Sequence, residues 1–128
     1  MNVLIADDDL MVLETIRKYV DFRGDNAFTA PNGRIAIDML KEQSVDLVIT
    51  DIQMPEATGF DLLSAAKGRH PAVPVIIITG YADLGRATQA VNEGAFAFLS
   101  KPIMFSDLTS KMDEAFEHYK DKEMFSAN

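Results

Sequence analysis

The chain contains no cysteine. A disulfide framework, a thiolate zinc centre and thiol catalysis are therefore excluded. No apolar run approaches the roughly 20 residues that a membrane helix needs. No basic leader precedes an apolar stretch at the N-terminus, so the cytoplasm is the expected compartment and no membrane contact is foreseen. Basic residues are also scarce, 12 against 20 acidic, for a formal net charge of -8 over 128 residues. That balance argues against the sequence-independent phosphate contacts on which nucleic-acid binding depends. It leaves open a protein partner or a metal cation.

What is present is a regular alternation of apolar runs and amphipathic stretches, with no internal repeat, linker or low-complexity segment. The length suits one domain with one core. That domain is expected over residues 1–122, with 123–128 a polar tail that frays or begins a linker. Strands are predicted at Val3–Ala6, Ala27–Ala30, Val45–Asp51, Val75–Ile78 and Ala95–Leu99. Helices are predicted at Asp9–Phe22, Gly33–Glu42, Gly59–Lys67, a fourth from Asp83 to about Gly94, and Ser106–Lys122. In the first helix Val12, Ile16, Tyr19 and Val20 recur at helical spacing and are expected to face the sheet. Leu10, Met11 and Leu13 are then left toward solvent. The second helix is expected to bury Ile35 or Ala36, Met39 and Leu40, and the fifth Leu108, Met112, Ala115, Phe116 and Tyr119. Asp83 is placed as an N-cap, Gly68 as a C-cap. Solid apolar strands alternating with helices mean a parallel sheet covered on both faces, doubly wound by right-handed crossovers.

In such a sheet the carboxyl ends of the strands share one edge, where α/β folds bind ligands. The first strand brings Asp7 and Asp8 there, with Asp9 opening the helix. The third brings Asp51, the fourth Thr79 and the fifth Lys101. Carboxylates this close raise one another's pKa unless something compensates. A hard cation held by oxygen ligands is the natural compensation, and an open coordination sphere suits Mg²⁺ better than Ca²⁺. A carboxylate, a divalent cation, an ammonium and a hydroxyl together point to phosphoryl chemistry, with an aspartate oxygen attacking phosphorus.

Four segments, Leu4-Ile5-Ala6-Asp7-Asp8-Asp9, Thr50-Asp51-Ile52-Gln53-Met54-Pro55, Ile78-Thr79-Gly80 and Leu99-Ser100-Lys101-Pro102, stand in order at spacings that resemble a response-regulator receiver domain of the CheY-like kind. The resemblance covers essentially the whole chain. It implies a flavodoxin-like, five-stranded sheet of order 2-1-3-4-5 with five helices. It also implies that Asp51 is the phosphoacceptor and that Asp8 ligates Mg²⁺ directly, with Asp7 acting mainly through water. The backbone carbonyl of Gln53 would complete the protein ligands. Thr79 would be the switch hydroxyl, Lys101 the phosphate-contacting lysine before a cis Lys101-Pro102 bond, and Phe98 the switch aromatic. The donor would be a sensor histidine kinase or a histidine phosphotransfer protein. Enzymatic activity would be limited to self-phosphorylation and autodephosphorylation. Gln53 and Tyr81, which flank the path of hydrolytic water in the family, would restrain the latter. The face made by the fourth helix, fifth strand and fifth helix would serve output or homodimerisation. Gln53 after Asp-Ile, and Thr79-Gly80-Tyr81-Ala82-Asp83 with Gly94-Ala95-Phe96, are similar to receivers of the nitrogen-regulator type, which usually precede an ATPase or DNA-binding domain; a stand-alone relay protein is equally compatible with these residues.

Each residue also has a plainer reading. Asp7, Asp8 and Asp9 are acids of the kind favoured at a helix N-terminus, and Asp9 is assigned there. Thr79 could simply end a strand, Lys101 could be a surface charge, and Phe98 could belong to the core. His70 and His118 have no second ligand nearby in sequence and are expected in solvent. Leu10, Met11 and Leu13 are either covered by neighbouring helices or form a docking patch. Two other functions are weighed. An Mg²⁺-dependent phosphatase with an aspartyl-phosphate intermediate would use Asp7-Asp8-Asp9, but it places its nucleophile on the first strand and usually has a longer chain. An FMN carrier conflicts with three acids in the first loop, which repel a phosphate.

Overall fold

Every predicted apolar run forms a strand in the computed structural model, which describes residues 1–80 and 83–126, with side chains described as far as 118. The order is β1 (Asn2–Ala6), α1 (Leu10–Phe22), β2 (Asn26–Ala30), α2 (Gly33–Glu42), β3 (Leu47–Asp51), α3 (Gly59–Lys67), β4 (Val75–Thr79), α4 (Leu84–Asn92), β5 (Ala97–Ser100) and α5 (Phe105–Ser126). The strands form one five-stranded parallel sheet in the order β2-β1-β3-β4-β5. The parallel pairing and five helices expected from the sequence pattern, and the strand order implied by the family resemblance, are thus all present.

Two apolar layers hold the sheet, one on each face. Side chains alternate between faces along a strand, so β3 sends Val48 to one layer and Leu47 and Ile49 to the other. The first layer packs α2, α3 and α4 through Ala36, Leu40, Leu62, Leu63, Ala66, Ala87 and Ala90. The second packs α1 and α5 through Leu13, Ile16, Val20, Leu108, Met112 and Ala115. Leu47, Ile49, Ile76 and Ile78 are inaccessible to solvent, which is why β3 and β4 read as unbroken apolar runs.

Several local expectations are corrected. Leu13 is buried, not turned to solvent, because α1 packs through Leu13, Ile16 and Val20, a 0, 3, 7 spacing; Val12 and Tyr19 lie at the margin. Leu10 and Met11 do stand in solvent, at 69% and 81% exposure. In α2 it is Ala36, not Ile35, that is buried with Leu40. Asp83 occupies the N-cap of α4 but its side chain caps nothing. In α5, Phe116 is exposed, while the side chain of Tyr119 lies outside the described residues. The helix runs past Lys122 to Ser126. His70 and His118 are exposed as expected, His118 resting against Phe96.

Candidate functional site

At the carboxyl end of the sheet, β1 and β3 lie side by side and deliver their terminal acids to the same place. The β3 ladder continues through Asp51, which is in register with Ile78 of β4. The β1–β2 ladder is prolonged by the Asp7 amide, which donates to the Ala30 carbonyl at 3.2 Å. Both carboxylates are therefore set by sheet hydrogen bonds, and both are buried: Asp7 is wholly inaccessible and Asp51 is 9% exposed. Asp8 is exposed. Oxygens of Asp7, Asp8 and Asp51 all lie within 4.8 Å of one another. Asp9 plays a different part, because its Oδ1 accepts from the amides of Met11 and Val12 and so caps α1.

Among the described residues, one ammonium reaches this cluster. Lys101 Nζ lies 3.0 Å from Asp51 Oδ2 and 3.1 Å from Asp7 Oδ2. The Lys101 amide donates to the Thr79 carbonyl at 2.7 Å, which ties the residue to the end of β4; the Lys101-Pro102 bond is cis, as foreseen. Its contact with Asp51 is a directed hydrogen bond, whereas Asp7 Oδ2 has proximity without hydrogen-bond geometry. The other oxygens are better served. Asp7 Oδ1 accepts from the Asp9 amide at 2.8 Å, and Asp51 Oδ1 from the Ile52 amide at 2.7 Å.

Burial pushes the Asp7 carboxyl above the usual carboxylate range; the Asp9 amide opposes this, the Asp51 charge adds to it, and Lys101 again opposes it. For Lys101, burial alone would lower the pKa. The hydrogen bond to Asp51 and the charges of Asp7 and Asp51 outweigh burial and raise it. A buried carboxylate oxygen without a hydrogen bond, in an all-oxygen cluster carrying three acids against one base, is what a hard divalent cation fits. Mg²⁺ is compatible with the residues present.

The other expected residues stand around this centre. Thr79 is fully buried, and its hydroxyl donates to the Gly80 carbonyl at 3.2 Å rather than to Asp51. Gln53 is exposed in the loop after β3. Phe98, on β5, is 37% exposed, so it is not a core residue. Tyr81 lies outside the described residues. A groove of about 430 Å³ is lined by Met11, Thr15 and Tyr19 of α1 and by Lys101, Pro102 and Ile103. Sequence reasoning missed the direct Asp7–Lys101 contact and the amides of Asp9 and Ile52. Gly59, expected with Pro55 to fix the turn after Asp51 and to open the third helix, does so by close approach, since a Cβ there would lie 2.4 Å from the Asp51 carbonyl oxygen. A glycine eight residues after a strand-ending acid was the available signal.

The comparisons with known proteins agree with this fold. The response regulator receiver domain profile matches residues 3–113. The transcriptional regulatory protein ZraR of Escherichia coli K12 is 33% identical over 92% of this chain, which spans 27% of that protein. The DNA-binding transcriptional regulator NtrC of Klebsiella pneumoniae is 34% identical over 93% of the chain and 25% of its own length. The chain thus spans about a quarter of these relatives. A receiver domain protein from Clostridium thermocellum superposes with a TM-score of 0.87 at 35% identity, over 93% of this chain and 96% of its own. NtrX from Brucella abortus, solved with ADP, does so at 0.90 and 27% identity, over 98% of this chain and 29% of its own. With the sheet order, the acid cluster and the profile in agreement, the chain belongs to the response regulator receiver domain family.

Proposed function

We propose that this receiver is a phosphorylation switch in which Asp51 accepts a phosphoryl group from a phosphohistidine on a sensor kinase or histidine phosphotransfer protein. The observation that carries the reading is the convergence of Asp7, Asp8 and Asp51 within 4.8 Å, opposed among the described residues by Lys101. An Asp51 carboxylate oxygen forms the new O–P bond while the P–N bond to the donor imidazole breaks, its electron pair leaving with the nitrogen. Lys101, already 3.0 Å from Asp51, stays beside the incoming phosphoryl oxygens and balances their charge. Bound through Asp7, Asp8, Asp51 and the Gln53 carbonyl, Mg²⁺ would supply further neutralisation of those oxygens. Thr79 must turn its hydroxyl from the Gly80 carbonyl toward the phosphoryl group, vacating space next to Phe98 on the adjoining strand.

Phe98 then leaves its exposed position, altering a face that also carries Leu84, Val91 and Phe116 at 36%, 38% and 40% exposure. That α4-β5-α5 face is the proposed output or homodimer surface, a two-state element biased by the phosphoryl group. The exposed Leu10 and Met11 beside the α1 groove serve the donor. The chain acts on its own aspartate and turns over no separate substrate. A phosphatase with its nucleophile on β1 is disfavoured, because Asp7 is wholly buried against Lys101. Net charge of -8 argues against direct nucleic-acid contact, so control of transcription passes through a linked output module in the cytoplasm.

Incubation with acetyl phosphate, followed by intact mass and size-exclusion chromatography, tests the reading. The expected result is an Mg²⁺-dependent phosphoryl adduct that Asp51→Asn abolishes, with a shift toward dimer. Folded protein that acquires no adduct would overturn it.

A further inference from the structure

We infer that Gly33, at the first turn of α2, is a positioning residue for the metal site: it lets α2 abut the β3–α3 loop and so fixes the carbonyl of Gln53. The inference rests on the proposed Mg²⁺ ligation by that carbonyl. Gly33 is far from Asp51 in sequence and carries no functional group, yet its backbone meets the loop directly. Its amide donates to the Pro55 carbonyl at 3.4 Å. A Cβ at Gly33 would lie 2.0 Å from the Ala57 carbonyl oxygen, 2.5 Å from its carbonyl carbon and 2.9 Å from its Cβ. Two of those three atoms are backbone, so no rotamer change relieves the clash. Either the loop or the helix must move.

The loop has few ways to yield. On its far side Gly59 donates to the Ile52 carbonyl at 2.7 Å, and a Cβ on Gly59 would also collide with Asp51 and Ile52 backbone. Between these two glycines, Ala57 donates to the Pro55 carbonyl at 2.8 Å and Glu56 sits at φ 71, a left-handed conformation that a non-glycine residue adopts only when its surroundings impose it. The N-cap of α3 is locked as well, since Thr58 and Asp61 exchange hydrogen bonds in a capping box. Displacement at Ala57 therefore travels back along the loop toward Gln53, two residues before Pro55. Mg²⁺ demands near-ideal octahedral geometry, so a small displacement of one backbone ligand is costly to it. Nothing comparable applies to Gly94, whose φ of +112 makes alanine strained but which packs on Lys67, away from the site.

The test compares wild type, Gly33→Ala, Ala57→Gly and Gly94→Ala in the full chain by calorimetric Mg²⁺ titration and thermal melting. Gly33→Ala should weaken Mg²⁺ about tenfold, the lower end for loss of support behind a metal ligand. Gly94→Ala should lower Tm and leave Mg²⁺ affinity within about twofold, since its strain lies outside the supporting shell. A folded Gly33→Ala protein that binds Mg²⁺ as wild type does would overturn the inference. If Gly33→Ala does not fold, Ala57→Gly decides. It removes the Ala57 methyl, the side-chain part of that contact, without any clash, and unaltered Mg²⁺ affinity in it would overturn the inference equally. Wild type that binds no Mg²⁺ would instead overturn the metal-site reading, and this inference with it.

Discussion

Two charged clusters sit at opposite ends of the sheet, and they are built on different principles. At the amino end, Arg23 pairs with Asp25 at 3.1 Å and with Asp113 at 2.8 Å, and the Met1 ammonium pairs with Asp25 at 2.8 Å. Two cations meet two anions. Burial opposes the Arg23 charge, but hydrogen bonds to Asp113 and Asp25 outweigh it and raise its pKa. This cluster is complete as it stands and ties α1 to α5. At the carboxyl end, among the described residues, Asp7, Asp8 and Asp51 are opposed by Lys101 alone, and Asp7 Oδ2 is left without a directed hydrogen bond. A network that serves structure neutralises itself; one that serves binding leaves charge for a ligand to neutralise. Total acidity says little, whereas the residual imbalance within a buried cluster locates the site.

The largest difference between the two ends should appear when Mg²⁺ is added. At 100 times its dissociation constant, a cation that binds only the folded state adds about 2.7 kcal/mol. Wild type should gain stability to denaturant accordingly, and Asp7→Asn should lose most of that gain. An equal gain in both proteins would place the cation elsewhere. The complementary experiment removes the balanced cluster. Arg23→Met should cost roughly 2 kcal/mol by leaving Asp113 unpaired and Asp25 with the Met1 ammonium alone, the usual size for a lost charged hydrogen bond. Its Mg²⁺ response should match wild type; a diminished response would mean that the two ends are coupled.

The smallest effect concerns the metal-free protein, in chelator. Asp7→Asn should stabilise it by about 1 kcal/mol near neutral pH, by removing a buried carboxylate from beside Asp51. The sign follows from linkage. The Asp7 pKa is raised on folding, so the folded state holds its proton where the unfolded state has released it. The penalty is present above the folded pKa and absent below the ordinary value of 3.8. The advantage of Asp7→Asn should therefore shrink as pH falls through that window. An advantage that grows toward acid would contradict the assignment of burial as the cause.

Much of this was legible beforehand because parallel strands buried on both faces leave an unbroken apolar signature. Leu47–Ile49 and Val75–Ile78 could hardly be anything else, and an acid directly after such a strand lands on the ligand-binding edge. Asp7, Asp51, Thr79 and Lys101 were placed by that logic together with the family resemblance. The errors fall where amphipathicity is ambiguous. Four consecutive apolar residues, Leu10, Met11, Val12 and Leu13, open α1. A rotation by one residue, about 100°, decides whether Val12 or Leu13 faces the sheet. The tie was settled by how α1 packs on β1 and β2, which no single-segment pattern contains. The Gly33 contact was hidden for the same reason: close approach between two backbones leaves no periodicity, only a glycine where a helix begins.

The most direct measurement is to phosphorylate the chain with acetyl phosphate and Mg²⁺, reduce it with borohydride and map the product by peptide mass spectrometry. Borohydride converts an aspartyl phosphate to homoserine, marking the carboxylate that carried the phosphoryl group. The account predicts homoserine at position 51 alone, dependent on Mg²⁺. Homoserine at position 7 or 8, or none at all in folded protein, would contradict it.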